Sequence, residues 1–201
     1  MRPSALSTFL PVLILSLAAP AHALAQWSVS LGVESERFWG GSLELGPERK
    51  SFRPYRPTVV GVGLERRMGK VGLGLRARYT EASLGLEGRD AVVALKGGFT
   101  VVGIAPEISY HIATLGPGNR LVLHAGPLVE FWDPVESDGR TRVGAQGIAS
   151  LGIPLGGRFG LSVGGSLAFV ASPFNSNELI DGYERRALWR RGFAAGLQYQ
   201  L

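Results

Sequence analysis

Two of the chain's three histidines, His111 and His124, lie beyond the first 25 residues, and the chain has no cysteine. Around them the sequence scatters Glu65, Arg76, Arg78, Glu107, Glu130, Gln146, Arg190 and Gln198. Such side chains could do three kinds of chemistry. They could line an aqueous pore, work as acid, base or nucleophile, or neutralise one another in a closed interior. Metal binding is the weakest of the options, since two histidines thirteen positions apart lack the close ligand spacing of a zinc site. No metal and no cofactor is expected.

What these residues can do depends on the elements that carry them. Period-two alternation, the mark of a strand with two unlike faces, recurs about eight times. The segments are 26–34, 58–67, 70–80, 98–112, 120–132, 142–153, 159–171 and 190–201. In each, Leu, Val, Ile or an aromatic residue occupies one parity. Gly, Ser and Ala, with single charged residues among them, occupy the other. The last segment, "RRGFAAGLQYQL", keeps this alternation to the final residue. The 29 glycines argue against helices, since each weakens a helix interior by about 1 kcal/mol relative to alanine.

The small parity decides which face points inward. A soluble sandwich turns its apolar face to a core and a charged face to water. Here Gly, Ser and Ala crowd one face, as the inside of a narrow barrel requires. The continuous Leu/Val/Ile face suits lipid, and a tilted strand of about 9–11 residues crosses the hydrocarbon. The connections run long, short, long, short, long, short, long, the rhythm of a membrane barrel with outer loops and periplasmic turns. The expected fold is therefore all-β, an eight-stranded antiparallel up-and-down transmembrane β-barrel. Pro106 and Pro127 fall on the outward parity, where loss of a ladder donor predicts local bulges or a seam.

The first 25 residues have the three parts of a secretory signal peptide. Arg2 supplies the charge, 10–19 the apolar run, and Ala21, Ala23 and Ala25 the small residues, with cleavage expected after Ala25. Residues 26–201 then form one domain. The net charge of +5 is mostly arginine and is scattered. On an exported chain that favours an anionic membrane surface over nucleic acid. Aromatic residues sit near the strand ends, as interfacial belts do. Trp27 and Tyr199 mark the periplasmic end, and Tyr79, Phe131 and Trp189 the outer end, with Arg191 beside them.

On the leader, the loop rhythm and the terminal strand, the mature chain resembles the small OmpA/OmpX-like outer-membrane β-barrel family. The resemblance implies an outer-membrane location, outer-membrane lipids as neighbours, a monomer, and a final strand read by the barrel assembly machinery. Phe193, Leu197 and Tyr199 fit that assembly signal. Leu201 stands where the family usually closes on Phe or Trp. The resemblance also brings in membrane-embedded lipid-modifying enzymes. In the deacylase kind a His and a Ser lie two apart on one strand face, and neither "HIA" at His111 nor "HAG" at His124 supplies that serine. The palmitoyltransferase kind would need a histidine in the outer loops, and His111 and His124 flank the short "TLGPGN" turn instead.

An eight-stranded barrel is only just wide enough for its own side chains, and buried charges must be paired. The inward residues Glu65, Arg76, Arg78, Glu107, His111, His124, Glu130 and Arg190 are therefore expected to plug the interior, with Arg76 and Arg78 meeting Glu107 and Glu130 from neighbouring strands. The segment 48–57, "ERKSFRPYRP", reads as an outer loop. Its Arg49, Lys50, Arg53, Tyr55 and Arg56, together with Arg185, Arg186 and Arg191 at the rim, are candidates to meet lipopolysaccharide phosphates or a partner surface. The expected role is a non-enzymatic envelope-structural or surface-interaction barrel. A small uptake pore, a lipid-modifying enzyme and a soluble periplasmic lipocalin-like barrel are the alternatives.

Overall fold

The computed structural model describes residues 25–44, 51–87, 92–134, 138–175 and 182–201. Residues 1–24, which hold nearly all of the expected leader, lie outside them. Eight strands follow in chain order: β1 Ala25–Glu44, β2 Ser51–Met68, β3 Val71–Glu87, β4 Val92–Leu115, β5 Asn119–Pro134, β6 Arg140–Gly156, β7 Phe159–Val170 and β8 Tyr183–Gln200. Each pairs antiparallel with its sequence neighbours, and β8 returns to β1, so the sheet closes into a barrel in simple up-and-down order. The terminal alternation now has its cause. β8 is laddered on both sides, to β7 and to β1, and a strand with two partners has no edge to fray.

The register sets the two faces. Leu31 lies opposite Val62 on β2 and Leu197 on β8, so the apolar parities join into one outer wall. On that wall Leu31 is 57% exposed and Phe193 65%. Inside, Glu36 is 1% exposed and Arg190 2%. The barrel is thus greasy outside and charged within, the reverse of a water-soluble domain. Val33→Arg, midway along β1 between the end aromatics Trp27 and Trp39, tests that polarity. In a bilayer it is expected to cost about 2–4 kcal/mol near the midplane, measured by urea refolding into vesicles.

Strands outrun the alternation at the end with the long connections. β1 continues to Glu44 and β2 begins at Ser51, so residues 51–57 of the segment expected to be a loop are strand. Arg53, Tyr55 and Arg56 are strand residues of β2, and Ser51–Tyr55 pairs with Ser83–Glu87 before the register shifts between Tyr55 and Thr58. Alternation ends where the apolar wall ends, but backbone pairing needs no apolar partner and runs on. Arg49 and Lys50 lie outside the described residues, as do the side chains of Arg53 and Arg56. At the other end the strands join through tight turns at Gly69, Gly116–Gly118 and Gly156–Gly157.

The two outward prolines produce no bulge. β4 and β5 keep one register on both sides of them, Ile104 opposite Val129 and Ile108 opposite Ala125. That register sets Pro106 opposite Pro127, and the ladder skips the steps between without slipping. Two residues that lack N–H groups face each other, so their missing donors fall within one short gap in the ladder and not in two.

Candidate functional site: the barrel interior

From the long-connection rim inward the lumen is layered, and each layer is set by inward positions on several strands. First comes an apolar layer: Phe38 on β1, Phe99 and Val101 on β4, Trp132 on β5 and Leu188 on β8. Phe174 joins it from the segment after β7, its ring 6.2 Å from that of Phe99, which in turn meets Trp132 edge-on at 5.6 Å. Backbone carbonyls hold this segment over the rim: Arg142 donates to Ser172 O at 2.6 Å and Arg140 to Pro173 O at 2.9 Å. The Ser172 hydroxyl donates to Gly41 O at 2.9 Å, tying the segment to β1.

Beneath lies a layer of ion pairs. Arg190 meets Glu130 at 2.5 Å and lies 3.5 Å from Glu36. Arg78 hydrogen-bonds Glu36, lies 3.5 Å from Glu34 and donates to the Gln146 carbonyl at 3.2 Å. Gln146 in turn donates to Glu107 at 2.6 Å. Arg76 grips Glu107 with two bonds, 2.8 and 3.1 Å. The Trp132 indole donates to Glu130 at 3.2 Å, which joins the apolar layer to the charged one. A buried charge without a partner is costly; each charge here faces an opposite one, although Glu36 Oε2 and Arg190 Nε and Nη2 are buried without a hydrogen bond.

The arrangement departs from the expected pairs in an instructive way. Arg76 meets Glu107 along the sheet, as neighbouring strands suggest. Arg78 instead reaches β1, and Glu130 is taken by Arg190 of β8. Long side chains in a narrow barrel meet across the lumen, not only along the wall. Glu34 and Glu36 are the acids that sequence reasoning missed. The apolar row of the first alternating segment ends at Val33, yet the inward parity continues through Glu34 and Glu36 to Phe38.

Toward the tight turns the lumen opens into a cavity of about 290 Å³, room for on the order of ten waters. Small residues, among them Ser28, Ser30, Gly61, Ser162 and Gly196, share its wall with charged ones, and it runs from Gly118 and Arg158 at the turn rim down to Arg78. Glu65 sits in its wall, bound by Ser109 at 3.1 Å and Arg67 at 3.4 Å. His111, at the turn end, contacts the Ala113 carbonyl at 3.0 Å and the Thr114 hydroxyl at 3.2 Å.

His124 stands between Ser150, 3.3 Å from Nε2, and Glu107, 3.7 Å from Nδ1. This is the atom order of a hydrolase triad, supplied by a serine on the neighbouring strand rather than two places along. The carboxylate is beyond hydrogen-bond reach of the ring, and it is already committed to Arg76 and Gln146. The serine opens onto the lumen, away from any acyl chain packed on the outer wall.

Outside, the aromatic residues gather at the two ends of the apolar wall. Trp27 carries Arg66 over its ring at 5.7 Å, and Tyr199 meets Phe159 at 5.0 Å, both near the turns. At the opposite end lie Tyr79, which donates to Glu81 at 2.7 Å, Phe131, and Trp189, which meets Phe169 at 4.7 Å. Arg191 is there too, its guanidinium 5.9 Å from the Trp39 ring.

No family model matches the chain, and none of the curated proteins does. Solved structures do. Neisserial surface protein A superposes with a TM-score of 0.60 at 10% identity, covering 89% of this chain and 100% of that one. The outer membrane protein OprG from Pseudomonas aeruginosa gives 0.54 at 10% identity, covering 90% of this chain and 97% of that one. At such identity the likeness carries the fold: this chain has the architecture of the small eight-stranded barrels.

Proposed function

We propose that the chain is a non-enzymatic outer-membrane barrel that serves envelope structure or surface interaction and does not conduct. The observation that carries this reading is the inverted polarity of the wall, apolar and exposed around the whole circumference, with ion pairs inside. No helix among the described residues is long and apolar enough to cross a membrane, so a crossing is made by strands. A closed barrel is one of the two backbone solutions that hydrocarbon permits, because every strand is paired. The long connections then lie outside the cell, the turns in the periplasm, and β8 is the strand offered to the assembly machinery.

Closure to flow rests on two stacked layers, apolar and then ionic, at the outer half of the lumen. Planar-bilayer recording of the purified chain is expected to show no steady conductance. Trp132→Ala combined with Phe174→Ala, which empties the apolar layer, is expected to bring intermittent openings as water reaches the ion pairs. Steady current from the unaltered chain would replace this reading with the pore. A heat-modifiable gel shift and partition into detergent are expected of the membrane form, and their absence would favour a soluble barrel.

A further inference from the structure

On the outer wall two arginines stand side by side. Arg37 of β1 and Arg191 of β8 are register partners, and both side chains are exposed. Directly opposed like charges destabilise an antiparallel pair. Here nothing relieves them: neither guanidinium has a carboxylate partner among the described residues, and the contact recorded for Arg191 is with the Trp39 ring.

Their surroundings indicate what does. One step toward the long connections, Trp39 lies opposite Trp189, the rings stacked 11° from parallel at 6.4 Å. One step the other way come Ser35 and Phe193, and beyond them the unbroken apolar rows Val33, Leu31, Leu197 and Tyr199. The arginine pair therefore sits at the outer edge of the apolar wall, under a shelf of indoles. Interfacial tryptophans and arginines occupy this level in membrane proteins.

We infer that Arg37 and Arg191 form a binding site for the phosphate of a lipid headgroup, whose acyl chains lie along Phe193 and Leu197 and whose sugar or glycerol packs on Trp39 and Trp189. Two guanidinium forks offer more donors than one carboxylate can accept, and a phosphate presents several oxygens at once. An anion between them turns the opposed charges from a destabilising pair into a clamp. The site rests on the membrane reading above and adds a ligand to it.

The test uses tryptophan emission from the full chain in vesicles of brominated phosphatidylcholine, which quenches indoles that touch lipid. Unbrominated diphosphorylated lipid A is expected to relieve quenching with a preference over phosphatidylcholine of roughly tenfold, one 1.4 kcal/mol step. Dephosphorylated lipid A and inorganic phosphate in the buffer are expected to give no such relief. In Arg37→Gln with Arg191→Gln the preference falls to that of the dephosphorylated lipid. Arg37→Glu, which supplies an internal partner to Arg191, also loses it while remaining folded in zwitterionic detergent. Equal preference in the unaltered chain and the double glutamine variant overturns the site. Relief by inorganic phosphate as strong as by lipid A overturns the headgroup as its source. Absence of quenching in any vesicle removes the membrane reading, and the site with it.

Discussion

Changing Glu36 to alanine is expected to cost about 3–5 kcal/mol, the range found when one partner of a buried ion pair is removed. Glu36 is 1% exposed and holds two guanidinium groups, those of Arg78 and Arg190. Its loss leaves both cations with one carboxylate fewer in a layer that water does not readily enter. Arg78 keeps Glu34 at 3.5 Å and Arg190 keeps Glu130 at 2.5 Å, so the barrel is weakened rather than abolished. Depth decides the ranking. Glu34 borders the cavity, where water can solvate Arg78, so Glu34→Gln is expected to cost clearly less than Glu36→Gln. Urea titration of refolding in detergent, read by the folded fraction on unheated gels, measures both. Equal losses at the two positions would mean that the ionic layer is as wet as the cavity below it.

The two faces of this barrel were legible in the sequence, and the arrangement inside it only in part. Alternation at Leu73, Val102 and Leu197 gave the wall directly, because an outward apolar face puts one kind of residue at every second position. The small parity of Gly, Ser and Ala gave the inside because space within a narrow barrel is short. Pairings across the lumen were not legible. Register fixes neighbours along the sheet, whereas Arg78 to Glu36 depends on where two long side chains bend in a closed space. Glu36 had a signal, the unbroken parity from Ser28 through Glu34, but it lay past the last apolar residue of the outward row. Phe174 had none. An apolar residue in a connection looks incidental until the chain is seen to fold back over the rim, held by Arg140 and Arg142 on its carbonyls. Trp27, Tyr79, Phe131 and Trp189 were readable as the ends of outward rows, while the register partner of Arg191 required the closing register of β1 with β8.

Glycine on the inward parity answers two different kinds of crowding. A Cβ at Gly144 would lie 2.0 Å from the carbonyl oxygen of Phe169 and 2.9 Å from Val170 Cα, both backbone of the adjoining β7. A backbone atom within a ladder cannot swing aside as a side chain can, so the two strands would have to part. Gly144→Ala is expected to destabilise by about 3 kcal/mol or more, at or above the upper end of ordinary overpacking. At Gly103 the same atom would find Arg78 Cβ and Leu128 Cδ1 at 3.6 Å, ordinary contact. Gly103→Ala is therefore expected to be neutral or to stabilise by about 0.4–1 kcal/mol, through the lost freedom of the unfolded chain. Measuring both by refolding in urea decides between two accounts of the small parity. If Gly144→Ala is as mild as Gly103→Ala, β6 and β7 are not held at close approach, and the glycines merely leave room in the lumen. If it fails to refold while Gly103→Ala does not, glycine at this position sets the distance between two strands, and with it the curvature that closes the barrel.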